Sequence, residues 1–547
     1  MLLKIGFLLL FILVLSSCTS TQQEVQPTTT DTPIPAVTTT ITSTSTQTPS
    51  PTSTPQPHAP TFDYGPDKFP PSINPLTGLS VPDASLLDLP AVLVSISNSP
   101  ASTRPQAGPG FAPWIFELFI GEGVTRFMNV FYGDYPRAVP NIVGECEIRE
   151  ETVQPNGDWI GNRVWFDENE NGIQDDWEMG VGGVCVRLLD GNSKKVLQRT
   201  STDSNGYYAF ENPPGKVIIQ FDKPPNYKFT EANIGDDDHD SDADKISGET
   251  EIIQSESTAS FWDAGLILSE GTIPTPNPSA TETPFYIPSE TYVGPIRSGR
   301  LTYNQIGRMF PNSCLVYASA AYDIGERLDA CEIVYGVDLT TPNSALLTIS
   351  RMRELAEKNV NPKQPVDYSG NLFSDAIPDG GQRAEYIDVY YHLYNQSAWA
   401  YDPISETYLR FTDREDGTGQ LFPATDRLTG RQLAFENVIV ILADHMRFRH
   451  NQLEVDFGNG KGNFAYLFRN GQVFNIRWST TNREYEKETG LRRPMHFVDA
   501  QGDLVPLHPG RTWIHIVTPF SVINEQGNAK WLVKFIPPLD PPDTPVP

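Results

Sequence analysis

Between two stretches that read as β-strands, "IGNRVW" and "GVCVRLLD", lies "DENENGIQDDWE", residues 167–178. Counted from Asp167, the oxygen-bearing Asp167, Asn169, Asn171, Asp175 and Glu178 stand at positions 1, 3, 5, 9 and 12. Gly172 falls at the sharp turn, position 6, and Ile173 at position 7 would lend its carbonyl. This is the ligand spacing of a twelve-residue calcium loop. Carboxylates gathered at about 4 Å repel by roughly 1 kcal/mol per pair in water and about 4 at an effective dielectric of 20. A fold that collects them needs a cation or must splay them into solvent, and the spacing favours calcium. The fold must therefore hold a cation loop between strands, where such loops usually sit between helices.

The loop belongs to a unit expected over residues 157–268. Short β runs ("RVWF", "VCVRLL", "YYAFEN", "KVIIQF") alternate there with Gly, Pro and Asn turns, the pattern of a small sandwich. From 157 to 266 it holds 22 acidic and 9 basic residues, a net −13 out of −28 for the whole chain. A second acidic cluster, "GDDDHDSDAD", offers Asp236, Asp238, Asp240, Asp242 and Asp244 as further calcium ligands, though no single template fits it.

The chain starts "MLLKIGFLLLFILVLSSCTS", an apolar run too short for a comfortable permanent span. "LSSC" resembles the lipobox of bacterial lipoproteins, which implies a signal peptide over 1–18 and a lipid on Cys18. Residues 19–68 are expected to be a disordered stalk, because the Thr, Ser, Pro and Gln that dominate them cannot bury a core. The strong negative charge argues against nucleic acid as a partner. With Cys18 lipidated, four cysteines remain and allow three pairings; Cys314 with Cys331, close in sequence, is the first expectation.

Two resemblances follow from longer motifs. "IGNRVWFDENENGIQDDWEMGVGGVCVRLLD", "TSTDSNGYYAFENPPG", "NIGDDDHDSDAD" and "FWDAGL" resemble the SdrD B-like repeat of surface adhesins, a Cna-B-type domain. That resemblance implies a seven-stranded prealbumin-like sandwich stiffened by calcium. On either side, "NPLTG", "RPQAG", "GEGVTRF", "GPIRSGR", "DRLTGRQLAFENVIVILADH", "GKGNFAYLFRNGQVFNIRW" and "LHPGRTWIHIV" resemble the YerB-like lipoprotein family, a domain family of unknown function. The sandwich would interrupt this host. The expected multidomain layout is a split α+β (α/β-like) host domain over 69–145 and 291–425, a linker over 269–290, a β-rich C-terminal domain over 426–530 and a disordered tail over 531–547. Flexible connections would let the sandwich stand away from the host.

Arg104, Glu117, Glu122, Arg126, Arg297 and Arg300 lie in the host's matching motifs. If the strand ends converge, they form a groove for an anionic ligand, since arginine forks suit carboxylates and phosphates; otherwise they form an ion-pair network joining the host's halves. The expected function is that of a surface-exposed, extracytoplasmic binding or scaffold protein of the cell envelope. It would be anchored to the membrane through its N-terminal lipid, with a cell-wall polymer or an envelope protein as partner. The alternative is an enzyme acting on wall glycan or peptide with Glu117 or Glu122 as acid/base.

Overall fold

A computed structural model describes residues 63–137, 143–149, 159–211, 213–235, 238–254, 260–269, 290–336, 342–449, 452–457 and 464–538. Cys18, Asp236, nearly all of the stalk and residues 270–289 of the linker lie outside these. The chain is strand-rich, with several sheets.

The strands β1 (Val92–Ser97), β2 (Trp114–Gly121) and β3 (Val124–Phe131) come from three apolar runs. Every residue of β1 and β2 is buried, so neither run shows a polar face. β2 and β3 form a hairpin whose turn residues Glu122 and Gly123 have φ of 52° and 78°. Two positive φ values match the right-handed twist of the flanking strands, and glycine accepts such a value without strain. "RNGQ" does the same at Asn470 and Gly471, joining Phe464–Arg469 to Gln472–Ser479.

These strands enter one eleven-stranded sheet. Its order runs from Glu332–Ile333 through Cys314–Tyr317, β1, β3, β2, Thr512–Val517, Asn437–Leu442 and Phe464–Arg469 to Gln472–Ser479 and Gln382–Arg383, with His496–Val498 pairing on Gln472–Ser479. The boundary expected at 425/426 does not divide the fold. β2 runs parallel to Thr512–Val517, and that strand parallel to Asn437–Leu442, so early and late segments share one hydrogen-bonded layer. The helical half of the expected α+β host is slight: the four α-helices among the described residues have 4 to 10 residues. What packs on one face is a second, seven-stranded sheet built from Tyr386–His392, Asn395–Asp402, Thr407–Thr412 and their neighbours. Trp399, Tyr408 and Val533 from that sheet share a core with Val94, Phe127 and Trp513. The opposite face buries Trp114, Met128, Tyr303, Phe310 and Trp478.

Two expected ends are corrected. Lys530–Lys534 is a strand paired with Tyr386–His392, not tail, because Trp531, Val533 and Phe535 alternate inward while Lys530 and Lys534 stay exposed. At the other end, Tyr64 bridges Phe373 and so belongs to the folded body, not the stalk.

Residues 159–268 form sheets of six and four strands around a core of their own. The strand count exceeds the seven expected because several runs are broken into short pairings. Cys146–Cys185 ties the preceding segment to the sandwich, with Cα atoms 5.3 Å apart. Cys314 and Cys331 form the second disulfide, at 5.5 Å.

The sandwich is not held clear of its surroundings. Asp176 accepts hydrogen bonds from the Ser80 amide and hydroxyl, both at 2.9 Å. Arg137 pairs with Glu168 at 3.5 Å and donates to the Trp177 carbonyl at 2.9 Å. Arg431 donates to Met179 Sδ at 2.6 Å and to the Gly180 carbonyl. Burial pushes the Arg431 pKa down to about 9, helped by the neighbouring charges of Arg163 and Arg137. Arg431→Ala should therefore loosen this seam: amide exchange at Met179 and Gly180 is expected to rise about tenfold, while Lys216–Phe221 stays protected. Unchanged exchange at Met179 and Gly180 would mean that other contacts hold the sandwich.

Candidate functional site

The acidic loop starts where the strand Trp159–Phe166 ends. Asp167, 1% exposed, accepts from the amides of Asn171 (3.1 Å) and Gly172 (2.9 Å) and from the Thr230 hydroxyl (2.5 Å). Glu178, 2% exposed, accepts from the amides of Glu168 (2.8 Å) and Asp175 (3.2 Å). Asn169 and Asn171 both donate to Asp175 Oδ2, at 2.8 and 3.1 Å. The ring of polar side chains is thus closed on itself, not splayed into solvent. Burial first, and the Asp167 charge second, push the Glu178 pKa up to about 8. A carboxylate such as Glu178, costly to ionise where it is buried beside Asp167, is the condition a divalent cation would relieve, so the donor set fits calcium. Among the described residues, no three His, Cys, Asp or Glu side chains converge as a metal cluster by themselves; this loop mixes carboxylates with amides and a carbonyl.

The second acidic cluster comes apart. Asp240 and Asp242 are buried, and Asp240 bridges Ile173, which brings it beside the first loop. Asp238 and Asp244 are exposed. Asp244 Oδ1 caps a turn by accepting from Ile246 N, Ser247 N and the Ser247 hydroxyl. Asp263, not singled out from sequence, is fully buried and donates its amide to Asp242 Oδ2 at 2.6 Å. Burial, with the Asp242 charge, raises the Asp263 pKa well above the ordinary carboxylate range. Its position in the apolar run "FWDAGL" was the available signal, since a carboxylate there must be buried.

The expected groove does not form as one site, because β3 alternates faces. Thr125 and Phe127 point to the side of the second sheet, and Arg126 points to the other. Glu117, 0% exposed, sits on the first side in a closed network. It accepts from Thr125 Oγ1 (2.9 Å), Arg410 Nη2 (3.2 Å) and Trp513 Nε1 (3.1 Å), and His515 Nδ1 lies 3.3 Å away. Trp399 Nε1 donates to His515 Nε2 at 2.9 Å, so Nδ1 carries the proton and the imidazole is neutral. Burial, with the Arg410 charge, holds the His515 pKa well below its usual value. Arg104 is on the same side as Glu117 and is spent on Asp413 and Glu415, each at 3.2 Å. Glu122 is exposed at the hairpin turn. Glu117 and Glu122 therefore do not share a cleft as an acid–base pair.

Arg126, Arg297 and Arg300 remain together beyond the carboxyl end of β1. Arg297 donates its backbone amide to the Ser95 carbonyl, and Ser95 Oγ lies 3.0 Å from Tyr303 OH. Burial pushes the Arg126 pKa down to about 10; Tyr303 opposes that fall, and the charges of Arg300 and Arg297 add to it. Among the described residues, neither Arg126 nor Arg300 has a carboxylate at ion-pair distance. Both Nε atoms are screened from solvent without a hydrogen-bond partner. Arg126 Nη1 donates to the Thr125 carbonyl, Arg300 Nη1 to the Gly299 carbonyl and Arg297 Nη2 to Asn343 Oδ1, so the two Nε donors are what is left over, and an anion beside them would supply an acceptor.

Comparison with known proteins gives the following. Residues 158–266 match the family model of the SdrD B-like domain. Residues 76–153 and 387–514 match the N-terminal and C-terminal domains of a protein of unknown function (DUF3048). The chain is similar to the fibrinogen-binding protein of Staphylococcus epidermidis, 44% identical over 89 residues, or 16% of this chain and 8% of that protein. Serine-aspartate repeat-containing protein F of the same species is 34% identical over 175 residues, 32% of this chain and 10% of that protein. Serine-aspartate repeat-containing protein C of Staphylococcus aureus strain MRSA252 is 40% identical over 88 residues, 16% and 10%. The chain thus spans a tenth or less of the length of these relatives. The crystal structure of YerB protein from Bacillus subtilis is a neighbour at 16% identity and a TM-score of 0.42, covering 81% of this chain and 96% of that one. The chain is built from an SdrD B-like domain together with the N- and C-terminal domains of DUF3048.

Proposed function

We propose that this is a lipid-anchored, surface-exposed protein of the cell envelope that binds an anionic ligand through Arg126, Arg297 and Arg300. Cys18 carries the lipid, and residues 19–62 form the stalk. A DUF3048 host presents the site, and an SdrD B-like sandwich interrupts that host. Calcium held by Asp167, Asn169, Asn171, Ile173, Asp175 and Glu178 stiffens the sandwich. Similarity to the staphylococcal proteins, one of them named for binding fibrinogen, supports a place at the cell surface. The observation that carries the binding role is that the Nε atoms of Arg126 and Arg300, in one cluster, are screened from solvent and have no acceptor. Its chemistry fits a cell-wall polymer bearing phosphates or carboxylates.

The test is retention on purified envelope. The chain lacking residues 1–18 should bind saturably, and inorganic phosphate at high concentration should compete. Arg300→Ala, alone and with Arg126→Ala, should weaken retention at least tenfold with the melting temperature little changed. Undiminished retention by the double variant would remove the site.

A further inference from the structure

A cavity of about 510 Å³ lies beside the Glu117 network, on the side of the large sheet away from Arg126. Phe127, Pro105, Phe422, Pro423, Ala424 and Leu433 give it apolar walls. At its inner end stands Arg410, only 2% exposed. The guanidinium carbon lies 4.1 Å from the centre of the Trp513 ring, 5.2 Å from Trp399 and 5.4 Å from Phe127, so aromatic faces hold the cation in place. Arg410 Nη2 reaches Glu117, whereas Nη1 is screened from water and has no hydrogen-bond partner. A buried donor left without an acceptor costs roughly as much as a hydrogen bond gains.

Charge decides what the missing acceptor is. Glu117 already balances Arg410, and Asp413 with Glu415 outweighs Arg104 by one negative charge. Arg414 is exposed at the rim and lies over the Phe422 ring, where water screens it. A carboxylate entering the cavity would add to a set of ion pairs that is already net negative, while a neutral carbonyl would only complete a hydrogen bond. We propose that this cavity binds a neutral, largely apolar small molecule that presents an amide or ester carbonyl to Arg410 Nη1. The volume is that of an ordinary small-molecule pocket. This site is independent of the anion site proposed above, and either can fail without the other.

The experiment uses N-acetyl-L-phenylalanine amide as probe and phenylacetate as its charged counterpart, followed by ligand-observed NMR and calorimetry on the chain lacking residues 1–18. The amide should bind saturably, at least fivefold more tightly than phenylacetate. Ala424→Trp, which fills the mouth without touching the buried ion pair, should weaken amide binding at least tenfold while the melting temperature holds. A second variant, Glu117→Gln with Arg410→Met, removes donor and counter-charge together and should also abolish binding. No saturable binding by the amide, tighter binding of phenylacetate, or full binding by Ala424→Trp would each overturn the assignment.

Discussion

Calcium at ten times its dissociation constant should raise the melting temperature of the sandwich by roughly 5–10 °C, and Asp167→Ala should remove most of that rise. A ligand that binds only the folded state stabilises it by RT ln(1 + [L]/Kd), about 1.4 kcal/mol at that excess. For a domain of this size each kcal/mol moves the transition by about 4–8 °C. Calcium sites in extracellular modules bind at roughly 0.1–1 mM, so millimolar calcium reaches this regime. Without metal, Asp167 already braces the loop through the Asn171 and Gly172 amides and the Thr230 hydroxyl. Asp167→Ala will therefore melt earlier even in chelator, and the diagnostic quantity is the difference between calcium and chelator for each protein. Asp167→Asn, which keeps the shape and removes the charge, should show an intermediate response. If Asp167→Ala responds to calcium as fully as the parent chain, the loop does not hold the metal.

Glu117→Ala should cost the host about 3–5 kcal/mol, the largest single loss expected here. Removing one partner of a buried ion pair leaves the other charge in the interior without compensation. Here it would strand Arg410 among Trp399, Trp513 and Phe127, and it would take the acceptor from Thr125 and Trp513 as well. Arg410→Met should cost a similar amount for the mirror reason, since it leaves Glu117 buried and charged. The double variant Glu117→Gln with Arg410→Met removes both charges. It should recover at least half of the summed losses, because a buried pair contributes little net stability relative to apolar packing. Urea midpoints of the parent, Glu117→Gln, Arg410→Met and the double variant form the cycle, and strictly additive losses would show that the two side chains are not coupled in the fold.

Glu117, Arg410 and His515 were each visible in a particular way. Each is the one acidic or basic residue in an apolar strand run: "WIFELFI", "TYLRFT" and "TWIHIV". A lone charge in a buried strand demands a partner, so these runs announced a buried network. They did not announce its membership, because Glu117 and Arg410 stand 293 residues apart and meet only when one sheet packs on the other. The groove expectation failed for a related reason. Side chains in a strand alternate faces, and Arg126 is one residue from Thr125, so sequence neighbours ended on opposite sides of the large sheet. The remaining arginines stayed together because β1 and the segment after residue 293 pair side by side.

By itself the sequence determined whatever depends on short range. It placed the Glu122–Gly123 and Asn470–Gly471 turns, where positive φ selects the residue type. It spaced the oxygens of 167–178 along one loop, and it favoured Cys314 with Cys331, seventeen residues apart, among three possible pairings. Tertiary structure alone decided that host segments on both sides of residue 426 share one sheet, that Lys530–Lys534 joins a strand at Tyr386–His392, and that the sandwich rests on Ser80, Arg137 and Arg431. Backbone hydrogen bonds between strands carry no label for their partner, so a strand's neighbour is chosen by the packing of whole sheets and cannot be read from the residues that make it.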